Sequence, residues 1–160
     1  MDKNPLHQLI VERLQADLEL ARRAAQSAYE AATDEENIAE NKYDTLGLEA
    51  SYLAAGQARR VEEIRHSLAA WQQLTLRPFD PRQGIQLGAL VWLADTGDRE
   101  QCLLLGPDGA GLKVQWQGQE VLVVSPRAPL GQRLLGCGTG DEVEIRVGGG
   151  LQQFEILRVA

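Results

Sequence analysis

Between Val11 and Trp71 the chain carries two runs of apolar and small residues whose spacing leaves little choice of fold. Val11, Leu14, Leu18, Ala21, Ala25, Ala28 and Ala32 are separated by alternating steps of three and four residues. Tyr43, Gly47, Ala50, Ala54, Gln57, Val61, Ile64, Leu68 and Trp71 follow the same rule. Such alternation is the seam of a coiled coil, because it keeps one narrow stripe of each helix turned toward a partner. When the two seams are laid antiparallel, the residue numbers of facing layers sum to 78 or 79 throughout: 14 meets 64, 18 meets 61, 21 meets 57 and 28 meets 50. That constancy predicts a helical hairpin with its turn between Glu36 and Lys42.

Arms of roughly 30 residues are about 45 Å long at 1.5 Å per residue. Leucine, isoleucine and valine fill the seam at the open end, and alanine and glycine fill it toward the turn, where the helices are expected to approach closely. The turn itself falls in "ATDEENIAENKYD", Ala32 to Asp44, which holds Asp34, Glu35, Glu36, Glu40 and Asp44 against a single base, Lys42. Two readings of these carboxylates stand: an ordinary solvated turn, or an acidic tip on a slender rod. A thin rod buries little apolar surface per residue and makes a poor free-standing domain, but it suits insertion into a narrow opening in a partner.

Beyond Trp71 the texture changes. "TLRPFDPRQG", Thr75 to Gly84, has the proline and glycine content of a linker. The short runs "GALVWLA", "QCLLLGP", "LKVQWQG", "QEVLVVS", "DEVEIRV" and "LQQFEILRV" are bounded by turn residues and read as strands. The expected organisation is therefore α+β: a long antiparallel coiled-coil hairpin over 1–75, a linker over 76–84, and a small β-rich domain over 85–160.

Composition bounds the function. With 44% hydrophobic residues in 160, the chain can bury a core. Its formal charge of −7 excludes wholesale nucleic-acid binding, which draws its affinity from surplus Lys and Arg, so any such contact is local or indirect. Residues 1–75 hold 8 bases and 13 acids, and 76–160 hold 8 and 10, so the helical half is the acidic one. Cys102 and Cys137 have no C-x-x-C spacing and read as free thiols. Charges interrupt the N-terminal segment every few residues, which argues against a signal peptide or a membrane span. A monomer in the cytoplasm is expected.

Other candidates read as structure. His7 and His66 lie along the arms, away from the acids, and suit surface or packing positions. Ser125 has no nearby base to activate it, so Ser125-Pro126 reads as a turn. Gly148, Gly149 and Gly150 follow a strand and precede another, which makes a hairpin turn rather than a phosphate loop.

The stretch "SPRAPLGQRLLGCGTGDEVEIRV" adds a motif to this outline: Ser125, Pro126, Leu130, Gly131, Leu134, Leu135, Gly136, Gly140 and Asp141. An acidic-tipped hairpin followed by this motif resembles the bacterial Gre (GreA/GreB) family of transcript cleavage factors. The resemblance implies a C-terminal domain like the FK506-binding (FKBP) fold and a partner, bacterial RNA polymerase, engaged at the rim of its secondary channel with the hairpin inside. It implies an accessory factor rather than an enzyme, with no cofactor of its own. Its tip carboxylates would share the Mg²⁺ of the polymerase site, which cleaves backtracked RNA near its 3′ end.

Gre tips look like G-D-x-x-E-N-A-E-Y, with an essential Asp and Glu three apart. On that pattern Glu40 takes the Glu position, Asn37 stands where the family has Asp, and Glu36 is the nearest substitute. The resemblance thus points to Glu40, Glu36 and Asn37 as the tip residues, with Glu40 and Glu36 as metal-sharing oxygens. It leaves open a Gre-like regulator or inhibitor that enters the channel without promoting cleavage. A prolyl isomerase of the FK506-binding type is a further alternative, for which the second half offers only Phe79, Trp92, Trp116 and Phe154 as pocket aromatics. A coiled-coil adaptor unrelated to transcription would leave the acids unexplained.

Overall fold

The computed structural model describes residues 1–34 and 46–160, and of Leu46 the backbone alone. The order of elements is α1 (Asn4–Thr33), α2 (Leu46–Gln73), β1 (Leu90–Asp95), β2 (Glu100–Leu105), β3 (Lys113–Trp116), β4 (Gln119–Val124), α3 (Pro129–Leu134), β5 (Glu142–Val147) and β6 (Gly150–Val159). The chain divides into two compact units. One is Val11–Ala69; the other joins Met1–Ile10 to Ala70–Ala160.

The first unit contains only α1 and α2, so the apolar stripe of each helix has the other to cover it. Every described member of the two seams is buried or half-buried. Leu14, Leu18, Ala21 and Ala28 are buried on α1, and Val61, Ile64 and Leu68 on α2. The turn expected between Glu36 and Lys42 lies outside the described residues.

The second unit begins with the first turns of α1. Pro5 sits in the opening turn, where its missing N–H is no loss, and Asp2 Oδ1 accepts the backbone N–H of Asn4 at 2.9 Å. Here the buried stripe moves from Val11 to Ile10 and Leu6, both fully buried. His7 Nε2 donates to the carbonyl oxygen of Trp71 at 2.5 Å, with the two rings 6.1 Å apart. That contact joins the start of α1 to the end of α2 and extends the antiparallel rule to one more layer, since 7 and 71 sum to 78.

Six strands form one sheet in the order β3-β4-β2-β1-β6-β5. Only β2 and β4 run parallel; the other pairs are antiparallel. One face carries the core cluster of Val91, Leu93, Leu103, Leu105, Val143 and Ile156, closed by Ile85 and by Leu134 of α3. On the other face Leu90, Cys102, Leu104, Val121 and Val123 are buried as well. Trp71 packs there: it is fully buried and donates its indole N–H to the carbonyl of Asp108 at 2.9 Å. Gly106 makes room for it, since a Cβ at that position would lie 2.4 Å from Trp71 Cζ2 and 2.7 Å from Val123 Cγ1.

Each of the six predicted strand segments is a strand. The β5–β6 connection is a two-residue turn with Val147 paired to Gly150 and positive φ at Gly148 (58°) and Gly149 (91°), as such hairpins require. The short helix α3 was not expected: six residues are too few to display a period. In the proline-rich segment, Phe79 packs against the core cluster, and Gly84 abuts the carbonyl of Gly136 so closely that a Cβ would lie 2.3 Å from its oxygen.

Candidate functional site at the joined ends of the helices

The described residues that frame the acidic segment are Tyr29 to Asp34 of the chain leaving α1 and the first turns of α2. Ala28 is buried there, and Ala32, Gly47, Ala50 and Ala54 are half-buried, so the seam at this end is built from side chains of one carbon or none. Thr33 Oγ1 donates to the carbonyl of Tyr29 at 3.0 Å, and Ser51 Oγ to that of Gly47 at 2.9 Å. Both hydroxyls bond back onto their own helix, a habit of Ser and Thr near helix ends. On the outside, Tyr29, Leu48, Tyr52 and Leu53 are exposed. Glu36, Asn37 and Glu40, singled out from the sequence, all lie outside the described residues. Among the described residues no group of three or more His, Cys, Asp and Glu is disposed to hold a metal.

The Gre-like motif of the second half is architectural. Ser125 Oγ accepts the N–H of Arg127 at 3.1 Å, and its carbonyl accepts that of Ala128 at 3.1 Å, turning the chain into α3. Gly131 allows this, because a Cβ there would lie 2.0 Å from the Ser125 oxygen. Asp141 Oδ2 accepts the N–H of Gly138 at 2.8 Å and so closes the loop leading to β5, while Gly140, at φ +89°, donates to Ile156 O at 2.7 Å. Each of these groups thus has a structural task in the loop. Of the aromatics, Trp116 is buried, while Phe79, Phe154 and Trp92 line three different cavities. They do not converge on one pocket of the kind a proline ligand needs. Arg158 stacks over Trp92, its guanidinium carbon 4.4 Å from the ring centre.

Neither thiol is activated. Burial pushes Cys102 up to about 12, against the opposing pull of Arg158. Cys137 is also raised, by burial first and by Asp141 second. His7 is a packing residue, as described above. Sequence reasoning missed Lys3, which is buried and donates from Nζ to backbone oxygens of Gly88 (2.9 Å) and Ala160 (3.1 Å).

Residues 80–160, just over half of the chain, match the family model "Transcription elongation factor, GreA/GreB, C-term". The chain belongs to the GreA/GreB family. Transcription elongation factor GreA of Desulfovibrio desulfuricans is 31% identical over 136 residues, covering 83% of this chain and 76% of that one. GreA of Polaromonas naphthalenivorans is 29% identical over 102 residues, covering 62% of this chain, which spans 60% of that relative's length. Among solved structures, GreA factor homolog 1 of Thermus thermophilus aligns over 94% of each chain at 21% identity and a TM-score of 0.38. The family assignment fits the loops just described, which use the glycines and Asp141 of the GreA/GreB motif to hold α3 and β5 in place. No described helix is long and apolar enough to cross a membrane.

Proposed function

We propose that this chain is an accessory factor of bacterial RNA polymerase in the cytoplasm, one that inserts its helical hairpin into the secondary channel and modulates elongation by stimulating cleavage of backtracked RNA. The observation that carries this reading is the pairing of a GreA/GreB C-terminal domain with a two-helix unit whose connecting residues are acidic. In this reading the sheet unit docks on the channel rim as a monomer, and the alanine and glycine seam keeps the inserted end thin.

Glu36 and Glu40 supply carboxylate oxygens and Asn37 a neutral amide oxygen. These are donors of the hard kind that Mg²⁺ takes, so the set fits an ion shared with the polymerase. When bound, that ion supplies charge neutralisation at the phosphate and a lowered pKa for water. Glu40, at the family's Glu position, would hold and orient the ion, with Glu36 as its partner.

A second reading rests on one residue. Asn37 stands where the family has Asp, and a neutral amide is the weaker ligand, which favours a channel-entering regulator that does not promote cleavage. Halted, backtracked elongation complexes incubated with the protein and Mg²⁺ separate the two. Shortened RNA that is lost by orders of magnitude in Glu40→Ala, with polymerase binding intact, supports the cleavage factor. Silence in the wild type and a measurable rate in Asn37→Asp supports the regulator. Wild-type cleavage that survives Glu40→Ala unchanged defeats the assignment of the tip.

A further inference from the structure

The thin half of α2 is apolar on two sides, and its seam with α1 accounts for only one. Gly47, Ala50 and Ala54 belong to that seam and are half-buried. Leu48, Tyr52, Ala55 and Arg59 form a second row with steps of four, three and four residues. All four are exposed, Leu48 by 53% and Tyr52 by 70%. Such steps keep a row on one face of a helix, so these side chains stand together on the outside of α2. On α1, Tyr29 and Arg22 directly follow the seam residues Ala28 and Ala21, just as Leu48 and Ala55 follow Gly47 and Ala54. Residues that follow the seam turn to the same side on both helices of an antiparallel pair. Their levels agree as well: 29 with 48 and 22 with 55 both sum to 77, close to the 78 or 79 of the seam layers.

Charge singles out the same face. Arg13, Arg23, Arg60 and Arg65 each pair with a carboxylate three or four residues away on their own helix. Arg22 and Arg59 are exposed and make no ion pair among the described residues. No acid belongs to the row, in a chain whose formal charge is −7. Exposed tyrosine, leucine and unpaired arginine without carboxylates is the composition of the energetic centre of a protein interface, where Tyr and Arg are enriched and Asp and Glu depleted. All of these residues lie in the one unit Val11–Ala69.

We infer that this face docks on a protein whose surface offers an apolar site to Tyr29, Leu48 and Tyr52 and carboxylates to Arg22 and Arg59. A second copy of the row has no carboxylate to give those arginines, so the occupant is a different chain. Its identity rests on the proposed function: the face is then the side of the hairpin that lies against the channel wall of polymerase. The test follows binding of the full chain to bacterial core RNA polymerase by surface plasmon resonance at two salt concentrations. Leu48→Ala and Tyr52→Ala should each weaken binding by about tenfold, mainly through faster dissociation. Arg22→Gln combined with Arg59→Gln should slow association and flatten its salt dependence, and Arg59→Glu should weaken binding more than Arg59→Gln. Leu20→Ala serves as the control, since Leu20 is exposed on α1 but precedes a seam residue and so turns to the other side.

All the substituted positions are exposed, so circular dichroism of the variants should match the wild type. Wild type that fails to bind polymerase defeats the proposed function and this docking face with it. Wild type that binds while the row variants bind equally well, or lose no more than Leu20→Ala, overturns the docking face and leaves the proposed function standing. Equal binding by Arg59→Glu and Arg59→Gln removes the carboxylates assigned to the partner and overturns the proposal as stated. A dimer in sedimentation that dissociates in Tyr52→Ala gives the face to a second copy. A single-stranded RNA oligonucleotide held by the free chain and released in the double arginine variant gives it to nucleic acid. Either result overturns the proposal.

Discussion

The two halves of the helical unit share one register and differ in what fills it. At one end Leu14 and Leu18 of α1 and Val61, Ile64 and Leu68 of α2 are all buried. At the other, Ala25 and Ala32 on α1 and Gly47, Ala50 and Ala54 on α2 reach only half burial, and of these small residues Ala28 is the one that is buried. At about 0.8 kcal/mol per buried methylene, a layer of leucine and isoleucine stabilises the pair several times more than one of two alanines. Periodicity alone therefore specifies where the helices meet, while the size of the seam residues decides how firmly. The small-residue half gains narrowness and gives up cohesion. It also leaves Tyr29, Leu48, Tyr52 and Leu53 on its exterior. Under the proposed function, those are the properties expected of a segment that enters a partner.

The sharpest way to break this comparison is to make the firm half resemble the thin one. Leu18 and Val61 are both buried, and the sequence register places them in one layer. Leu18→Ala should lower stability by about 2–4 kcal/mol, the range for truncating a well-buried leucine. Denaturant unfolding followed by circular dichroism measures it, and a loss below about 1 kcal/mol, within reach of propensity and surface effects alone, would mean that the large aliphatic layers do not clamp the pair.

The reverse exchange asks whether the thin half is close-packed or merely empty. Ala28 is 6% exposed although its side chain is a single methyl, so its surroundings approach the backbone itself. Ala28→Leu should therefore destabilise by about 1–3 kcal/mol through overpacking, even though it adds apolar surface. Under the proposed function, polymerase affinity should fall as well, because the inserted end would thicken. A stabilised Ala28→Leu protein would show that the seam has room and that small residues there serve another purpose.

These contrasts were legible in the sequence because a coiled-coil seam writes its geometry into consecutive turns: residues at 14, 18, 61 and 64 need no distant information to declare a stripe. The strands were legible for a similar reason, as apolar runs ended by glycine, proline or aspartate, and Gly148-Gly149 marked its own turn. What the sequence hid depends on distant partners. Nothing near Lys3 signals that its ammonium will meet oxygens of residues 88 and 160. The shift of the buried stripe from Val11 to Ile10 reflects packing within the sheet unit rather than any local pattern. The parallel pairing of β2 with β4 joins segments separated by β3, which no local period records. At the acidic segment the sequence shows composition and a family motif, with Glu40 matched and Asn37 divergent. Under the proposed function, chemistry there would depend on a partner's groups, and no spacing within one chain encodes those.

The smallest effect is also opposite in sign. Gly56 sits inside α2, is exposed, and a Cβ built on it meets nothing within 4 Å. Glycine in a helix interior lowers stability relative to alanine because it leaves the unfolded chain more freedom and the folded helix nothing in return. Since no close approach demands it here, Gly56→Ala should stabilise by about 0.4–1 kcal/mol. Hydrogen exchange locates the gain: protection should rise in α2 around residues 50–60, in the weaker half, and remain unchanged in β1 and β2, whose exchange is governed by the sheet. The polymerase assay then separates two meanings of that weakness. If the glycine is only tolerated slack, Gly56→Ala will leave transcript cleavage or channel binding untouched. If the hairpin must bend to enter, the stiffer helix will associate more slowly while its free stability improves. A Gly56→Ala protein less stable than the wild type would instead show that a contact or a bend at this turn requires glycine, and the picture of α2 as an unconstrained outer surface at residue 56 would be wrong.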